Sequence, residues 1–132
     1  MGKAALVEQD IEEGKRLVDK LVKDSGEKIP IALWLYNSSY GGWRLVLAVP
    51  QMVRGPQAAY HFIGNVLKEL REQTDQLFRL TLQDISLISP KDPLVKTLLR
   101  EKQSASALRG RILDSLRIGD RFLEGVYLYK VA

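Results

Sequence analysis

The chain has 132 residues, 45% of them hydrophobic and 27% charged, with a formal net charge of +4. This size and composition predict one folded domain over residues 1–132, and the weak basic excess falls short of the dense basic stripe typical of nucleic-acid binders. Disulfides, thiol catalysis and cysteine-ligated metals are excluded because the chain has no cysteine. Without a recognisable signal peptide or an apolar run of membrane-spanning length, we expect a cytoplasmic protein with no membrane partner.

The first predicted element is an amphipathic helix over residues 7–24. Apolar residues recur there at spacings of three and four, from Val7 to Val22, and therefore share one face. Charged residues of both signs occupy the remaining surface, with Glu12 one turn before Arg16. Mixed charges of this kind predict a solvated helix face.

Residues 31–49 predict a β-hairpin at the centre of a sheet. Two apolar runs flank a polar connection that ends in Gly41 and Gly42, and these glycines supply the backbone freedom that the turn needs. Both faces of both strands are largely apolar, which indicates strands that are covered on both sides or packed against a partner.

The far end of this hairpin is the first candidate site. It combines four aromatic residues with one arginine: Trp34, Tyr36, Tyr40, Trp43 and Arg44. Exposed tryptophan and tyrosine are typical anchors of protein interfaces, so this end predicts a protein-binding or self-association surface. The alternative is a core tryptophan with a tyrosine at the rim of the core.

A second helix is predicted from Pro56 to about Glu72, since proline suits the first helical turn. The start of this helix is the second candidate site, formed by Arg54, Gly55, Gln57 and His61. Free N–H groups and an arginine fork suit a phosphate or a carboxylate. The simpler interpretation is a solvated arginine before an ordinary helix start.

His61 is also the first candidate for a general base, because it is the only histidine in the chain. No second histidine is available for a metal site, and no serine beside it is marked as a nucleophile. Carboxylates at the ends of strands, such as Asp84 and Asp120, are the other candidates for an enzyme, but no two of them have a defined spacing.

A strand is predicted at about residues 79–88, where alternation changes phase near Gln83–Asp84 and indicates a bulge. Asp92 and Pro93 then predict the cap and the first position of a third helix, which ends by about Lys102. The small polar residues 103–107 predict a mobile loop.

The C-terminal part predicts a further hairpin. Its first arm covers about residues 110–118, Gly119–Asp120 forms the turn, and residues 125–131 form the last strand. The first arm also fits a helical face, and the sequence leaves both possibilities open.

Four arginines of this part form the third candidate site: Arg109, Arg111, Arg117 and Arg121. If Arg109 and Arg111 lie on a strand they point the same way, and with Tyr127 and Tyr129 nearby they suggest a nucleic-acid platform. Interruption by Asp114 and Asp120 favours ordinary solubilising arginines instead.

The element order αββαβαββ predicts an α+β fold with one mixed, mainly antiparallel five-stranded sheet and three helices. No catalytic motif, metal cluster or cofactor loop stands out, so we expect no cofactor. The predicted function is a non-catalytic binding module that self-associates or binds another protein through the aromatic hairpin. The alternatives are nucleic-acid or phosphate-ligand binding through Arg54 and the C-terminal arginines, and an enzyme that uses His61 or a strand-end carboxylate.

Overall fold

The computed structural model describes residues 5–23, 28–39, 41–74 and 77–131. In chain order the helices and strands are α1 Glu8–Lys23, β1 Ile31–Asn37, β2 Gly42–Ala48, α2 Pro56–Gln73, β3 Ile85–Ile88, α3 Pro93–Arg100, α4 Lys102–Ser106, β4 Ile112–Leu113, β5 Leu116–Ile118, β6 Arg121–Leu123 and β7 Gly125–Val131. Short 3₁₀ helices, Pro50–Arg54 and Leu82–Asp84, precede α2 and β3. Within these ranges, no helix has both the length and the apolar character needed to cross a membrane.

The main sheet has five strands in the order β3-β2-β1-β7-β4. The β2–β3 pair is parallel and the other neighbours are antiparallel. The predicted α+β fold with a mixed, mainly antiparallel five-stranded sheet is therefore confirmed. A separate two-stranded ribbon, β5–β6, was not predicted as a unit of its own.

Helices cover the sheet on both faces, which explains why the central hairpin is apolar on both sides. One core lies between the sheet and α1 and α2, and it includes Ala32 and Leu47. The other lies between the sheet and α3, α4 and the β5–β6 ribbon, and it includes Leu33 and Val46. Neighbours on one strand point to opposite faces, so each strand of the hairpin contributes to both cores.

Helix boundaries follow the local sequence signals closely. The Asp92 carboxylate accepts a hydrogen bond from the Leu94 N–H at 2.9 Å, and Pro93 takes the first helical position of α3. Pro56 begins α2 in the same way. Both helix starts are as predicted.

Two local predictions are wrong, and a third is confirmed only in part. Residues 103–107 are mostly helix rather than a loop, because α4 buries Ala105 against the second core. The irregularity at residues 82–84 is a 3₁₀ turn rather than a bulge, and the Asp84 carboxylate accepts from the N–H of Thr81 at 3.0 Å. The arm at 110–118 is extended rather than helical, but it divides into β4 and β5.

A bulge does occur, in β7. Leu33 of β1 faces Leu128, and the preceding residue, Ala32, faces Lys130, so Tyr129 is the extra residue on β7. A bulge of this kind turns two consecutive side chains toward the same side of a sheet. Tyr129 and Lys130 consequently both lie on the α1 side.

Candidate functional site: the aromatic end of the sheet

Five aromatic side chains share the α1–α2 face of the sheet: Trp34, Tyr36, Trp43, Tyr127 and Tyr129. Tyr36 faces Trp43 in register, and Trp34 faces Tyr127. Residues that face each other across neighbouring strands point to the same side. The two tyrosines of β7 thus join the hairpin aromatics. Trp34 and Tyr129 are 95 positions apart in the chain, so no local sequence signal indicates that they meet.

Trp34 belongs to the core, because only 3% of its surface is exposed. Its indole Nε1 donates to the Tyr129 hydroxyl at 2.7 Å, and that hydroxyl donates to the Ile11 carbonyl at 2.6 Å. Gly14 of α1 lies directly above, where an added Cβ would approach Trp34 Nε1 to 3.0 Å. Burial raises the pKa of Tyr129 well above its usual range, so the hydroxyl stays protonated and keeps both bonds.

Tyr36 and Trp43 form the outer part of the aromatic face. Their rings meet edge to face, with centroids 5.6 Å apart and an interplanar angle of 68°, a favoured geometry for aromatic pairs. Both side chains are half-buried and lean over Gly125 of β7. A Cβ at Gly125 would lie 2.9 Å from both Trp43 Cη2 and Tyr36 Cβ, so the glycine provides the space that the pair occupies.

The loop at the hairpin tip is held in place by the residue before Gly125. The Glu124 carboxylate accepts from the Ser38 backbone N–H at 2.7 Å and from the Ser38 hydroxyl at 2.8 Å. Asn37 Oδ1 accepts from the Ser39 N–H at 2.8 Å. These bonds tie the hairpin tip to the residue that precedes β7. Tyr40 lies outside the described residues.

The aromatic surface continues to the sheet edge through Ile112. This residue of β4 faces Tyr127 in register and is 50% exposed. We call Tyr36, Trp43, Tyr127 and Ile112 together the aromatic end. Ile112 is exposed and the three aromatic side chains are half-buried. Apolar side chains that a fold leaves partly uncovered on one face of a sheet mark candidate interaction surfaces.

Arg44 does not belong to the aromatic end. It lies on the opposite face, where its Nε donates to the Ser86 hydroxyl at 2.7 Å. Its terminal nitrogens donate to the carbonyls of Gln83 and Ile85, both at 2.8 Å. The guanidinium therefore joins β2 to the start of β3, which is a structural role.

The residues predicted around the start of α2 lie on its surface. Arg54, Gln57 and His61 are exposed, and Gly55 has the positive φ of 112° that the turn into α2 requires. Ala59 and Ile63, two positions on either side of His61, are completely buried. A shift of two residues is more than half a helical turn, so His61 projects from the outer side of α2, away from the core.

The four C-terminal arginines lie in separate places. Arg109 and Arg111 are not on one strand, since Gly110 between them has φ of 77° and β4 begins only at Ile112. On the β5–β6 ribbon, Arg117 faces Phe122 while Arg121 faces Ile118, so the two arginines are on opposite faces. The tyrosines of β7 point to the α1 side, away from the ribbon. The structure thus does not assemble the predicted platform.

The carboxylates at strand ends serve the fold. Asp84 and Asp92 cap turns, Glu124 holds the hairpin tip, and Asp120 lies 3.6 Å from Arg100. Across the ranges that the structure describes, no group of three or more histidines and acids is arranged to hold a metal ion.

A groove of about 710 Å³ lies between the N-terminal half of α1 and the segment after α2. Its buried acid is Glu13, which is 6% exposed. Glu13 Oε1 accepts from the N–H groups of Arg79 and Leu80 at 2.9 and 2.8 Å, and Oε2 accepts from Gln9 at 2.8 Å. With both oxygens engaged, this carboxylate holds a chain segment in place rather than offering a base to a ligand.

Comparison of the chain with protein-family models, with curated proteins and with solved structures finds no match. The aromatic end is the surface on which two candidate residues from the sequence, Tyr36 and Trp43, lie together in the structure.

Proposed function

We propose that this protein is a non-catalytic binding module that associates with a protein chain, either its own copy or another, through the aromatic end. The observation that supports this most directly is the half-buried Tyr36–Trp43 pair, fixed edge to face over Gly125. Tyrosine and tryptophan bury large areas on contact and lose few rotatable bonds, which is why they dominate binding energy at interfaces. The cytoplasmic location expected from the sequence stays a prediction.

The aromatic pair is preorganised for binding. Holding an aromatic pair in one geometry removes part of the entropy cost of binding, and the Glu124–Ser38 bonds supply that restraint at the hairpin tip. Ile112 extends the apolar surface to the edge strand β4, where only two residues pair with β7. An edge strand is a natural place for a second chain to approach.

The first test measures molar mass by size-exclusion chromatography with light scattering over a range of protein concentrations. We expect a dimer or larger species in the wild type and a shift toward monomer in Trp43→Ala and in Ile112→Ser. Phe122→Ala is the matched control, because Phe122 is 61% exposed but lies on the ribbon over the opposite face. A loss of association in Phe122→Ala alone would contradict the proposed surface.

A second readout follows Trp43 directly. In a Trp34→Phe background Trp43 is the sole tryptophan, and its fluorescence emission should shift to the blue as protein concentration rises.

If the protein is a monomer at every concentration, a photo-crosslinking amino acid at position 36 tests for a different partner in cells, with position 122 as the control. A strict monomer with no specific crosslink from position 36 would overturn the proposal.

A further inference from the structure

A second groove, of about 290 Å³, lies on the α1 face at the other end of β7. Its charged lining is Lys15, Asp19, Lys23, Arg109 and Lys130, and the Tyr129 ring forms part of the floor. These residues come from α1, from the turn after α4 and from β7. The groove shares no residue with the aromatic end.

The bulge in β7 creates this groove. In an unbroken strand Tyr129 and Lys130 would point to opposite faces, but the extra residue turns both to the α1 side. Tyr129 is then held by its bonds to Trp34 and Ile11, and Lys130 projects beside it. Bulges often serve to redirect a side chain next to a binding site.

Positive charge prevails in the groove. Lys15 and Asp19 form an ion pair at 2.9 Å, and the hydrogen bond from Lys15 to Asp19 raises the pKa of Lys15. That pair is neutral overall, which leaves Lys23, Arg109 and Lys130 as the excess cations. A concave surface lined by one sign of charge concentrates the counter-ion.

Arg109 is positioned to act as a fork. Its Nε donates to the Ser106 carbonyl at 3.3 Å, and its backbone N–H donates to the same carbonyl at 3.3 Å. These bonds hold the Nε edge of the guanidinium against the end of α4, and within the described residues its terminal nitrogens take part in no hydrogen bond or ion pair. A planar guanidinium with two terminal N–H groups matches two oxygens of a phosphate.

We propose that this groove binds a small polyanion through its phosphate groups. The volume is at the lower limit for small-molecule sites, which favours a compact ligand such as a di- or triphosphate group over a large cofactor. Three cations from three elements suit a ligand whose negative charge is spread over more than one phosphate. The apolar wall from Val18 and Val22 leaves room for an uncharged portion beside the phosphates.

The test titrates the protein with pyrophosphate and with tripolyphosphate by calorimetry, at constant ionic strength. We expect saturable binding that weakens as salt rises, and a loss of at least tenfold in affinity in Arg109→Gln and in Lys130→Gln. Lys96→Gln is the matched control, since Lys96 is an exposed lysine of α3 and the variant loses the same charge. Vesicles with and without a phosphoinositide then separate a lipid headgroup from a free ligand, and binding to either supports phosphate recognition.

Two results would overturn the proposal. One is the absence of saturable binding of both phosphates at millimolar concentration by a folded wild-type protein. The other is an equal loss of affinity in Lys96→Gln and Lys130→Gln, which would indicate attraction to net charge instead of a site. Circular dichroism of each variant shows that it is folded, so neither result depends on misfolding.

Discussion

Individual hydrogen bonds decide which aromatic residues are structural. Trp34 and Trp43 are both tryptophans of the hairpin, yet Trp34 donates to Tyr129 inside the core while Trp43 leans over a glycine at its rim. The difference arises from β7. Its Tyr129 bonds to Trp34, whereas its Gly125 leaves the space into which the Trp43 ring leans. A sequence pattern in the hairpin alone assigns both tryptophans the same potential role, so the partner strand is what distinguishes them.

Tyr129→Phe should lower the free energy of unfolding by about 1–3 kcal/mol, because the Trp34 N–H and the Ile11 carbonyl each lose a partner. The cost should also depend on pH. Below pH of about 10 the phenol is protonated in both states. Above that, the unfolded state ionises first because the folded pKa is raised, so wild-type stability falls with pH and the variant should lack that part of the fall.

Urea denaturation at several pH values between about 8 and 11 measures both effects. Trp34→Phe removes the same indole–hydroxyl bond from its other end and serves as the partner in a double-mutant cycle. We expect the two changes to be less than additive. Additive costs, or parallel alkaline slopes for wild type and Tyr129→Phe, would contradict the assigned role.

At the level of elements, local signals predict most of the helix boundaries. The start of α3 follows from Asp92 and Pro93, and the boundaries of α1 follow from the spacing of its apolar residues. Most failed predictions lie where a distant contact decides the outcome, and the exception is the 3₁₀ turn at Leu82–Asp84, which the local Thr81–Asp84 bond closes. The burial of Ala105 makes α4 a helix although its residues are typical of a loop, and the bulge at Tyr129 depends on β1, which lies far away in sequence.

The candidate site shows the same division. Tyr36 and Trp43 were predicted from the hairpin itself, but Glu124, Gly125 and Ile112 were missed, since their part in the site depends on strand order. Arg44 was grouped with the aromatics by sequence proximity, although alternation along β2 sends it to the other face. Register and strand order are long-range properties, and one sequence does not reveal them.

Glu13 is a second residue whose role depends on another element, and it gives a prediction for α1. The helix face was expected to be solvated, but Glu13 is buried and binds two backbone N–H groups of the segment after α2. Glu13→Gln should lower the free energy of unfolding by about 1–3 kcal/mol, because charge-assisted bonds to buried N–H groups are replaced by weaker ones.

Glu12→Gln provides the comparison for Glu13→Gln in urea denaturation. Glu12 is exposed and lies 3.6 Å from Arg16, and exposed pairs of this kind contribute at most about 1 kcal/mol. The cost of Glu13→Gln should clearly exceed that of Glu12→Gln. Equal costs would mean that the segment after α2 is held mainly by the packing of Phe78 and Leu80.

Across the whole molecule, the first and last parts of the chain meet in the middle of the sheet. β1 lies between β2, its hairpin neighbour, and β7, the last strand. α1 packs on that seam, where the Tyr129 hydroxyl binds the Ile11 carbonyl and Gly14 allows the close approach. Helix α1 covers one face of this seam, and α3 and α4 pack on the other face of the sheet. Both proposed binding surfaces lie along β7.

This arrangement predicts how stability is distributed, since amides at the centre of a sheet exchange with solvent only on global unfolding while peripheral units open locally. β1 has a strand on each side and a core on each face. The β5–β6 ribbon has only two short strands and lies outside the main sheet, and isolated two-stranded ribbons are only marginally stable by themselves.

Hydrogen exchange followed by mass spectrometry should therefore show β1 amides exchanging about a hundredfold or more slowly than those of the ribbon. The two regions serve as controls for each other in one experiment, and equal rates would show that the ribbon unfolds only with the sheet and forms one cooperative unit with it.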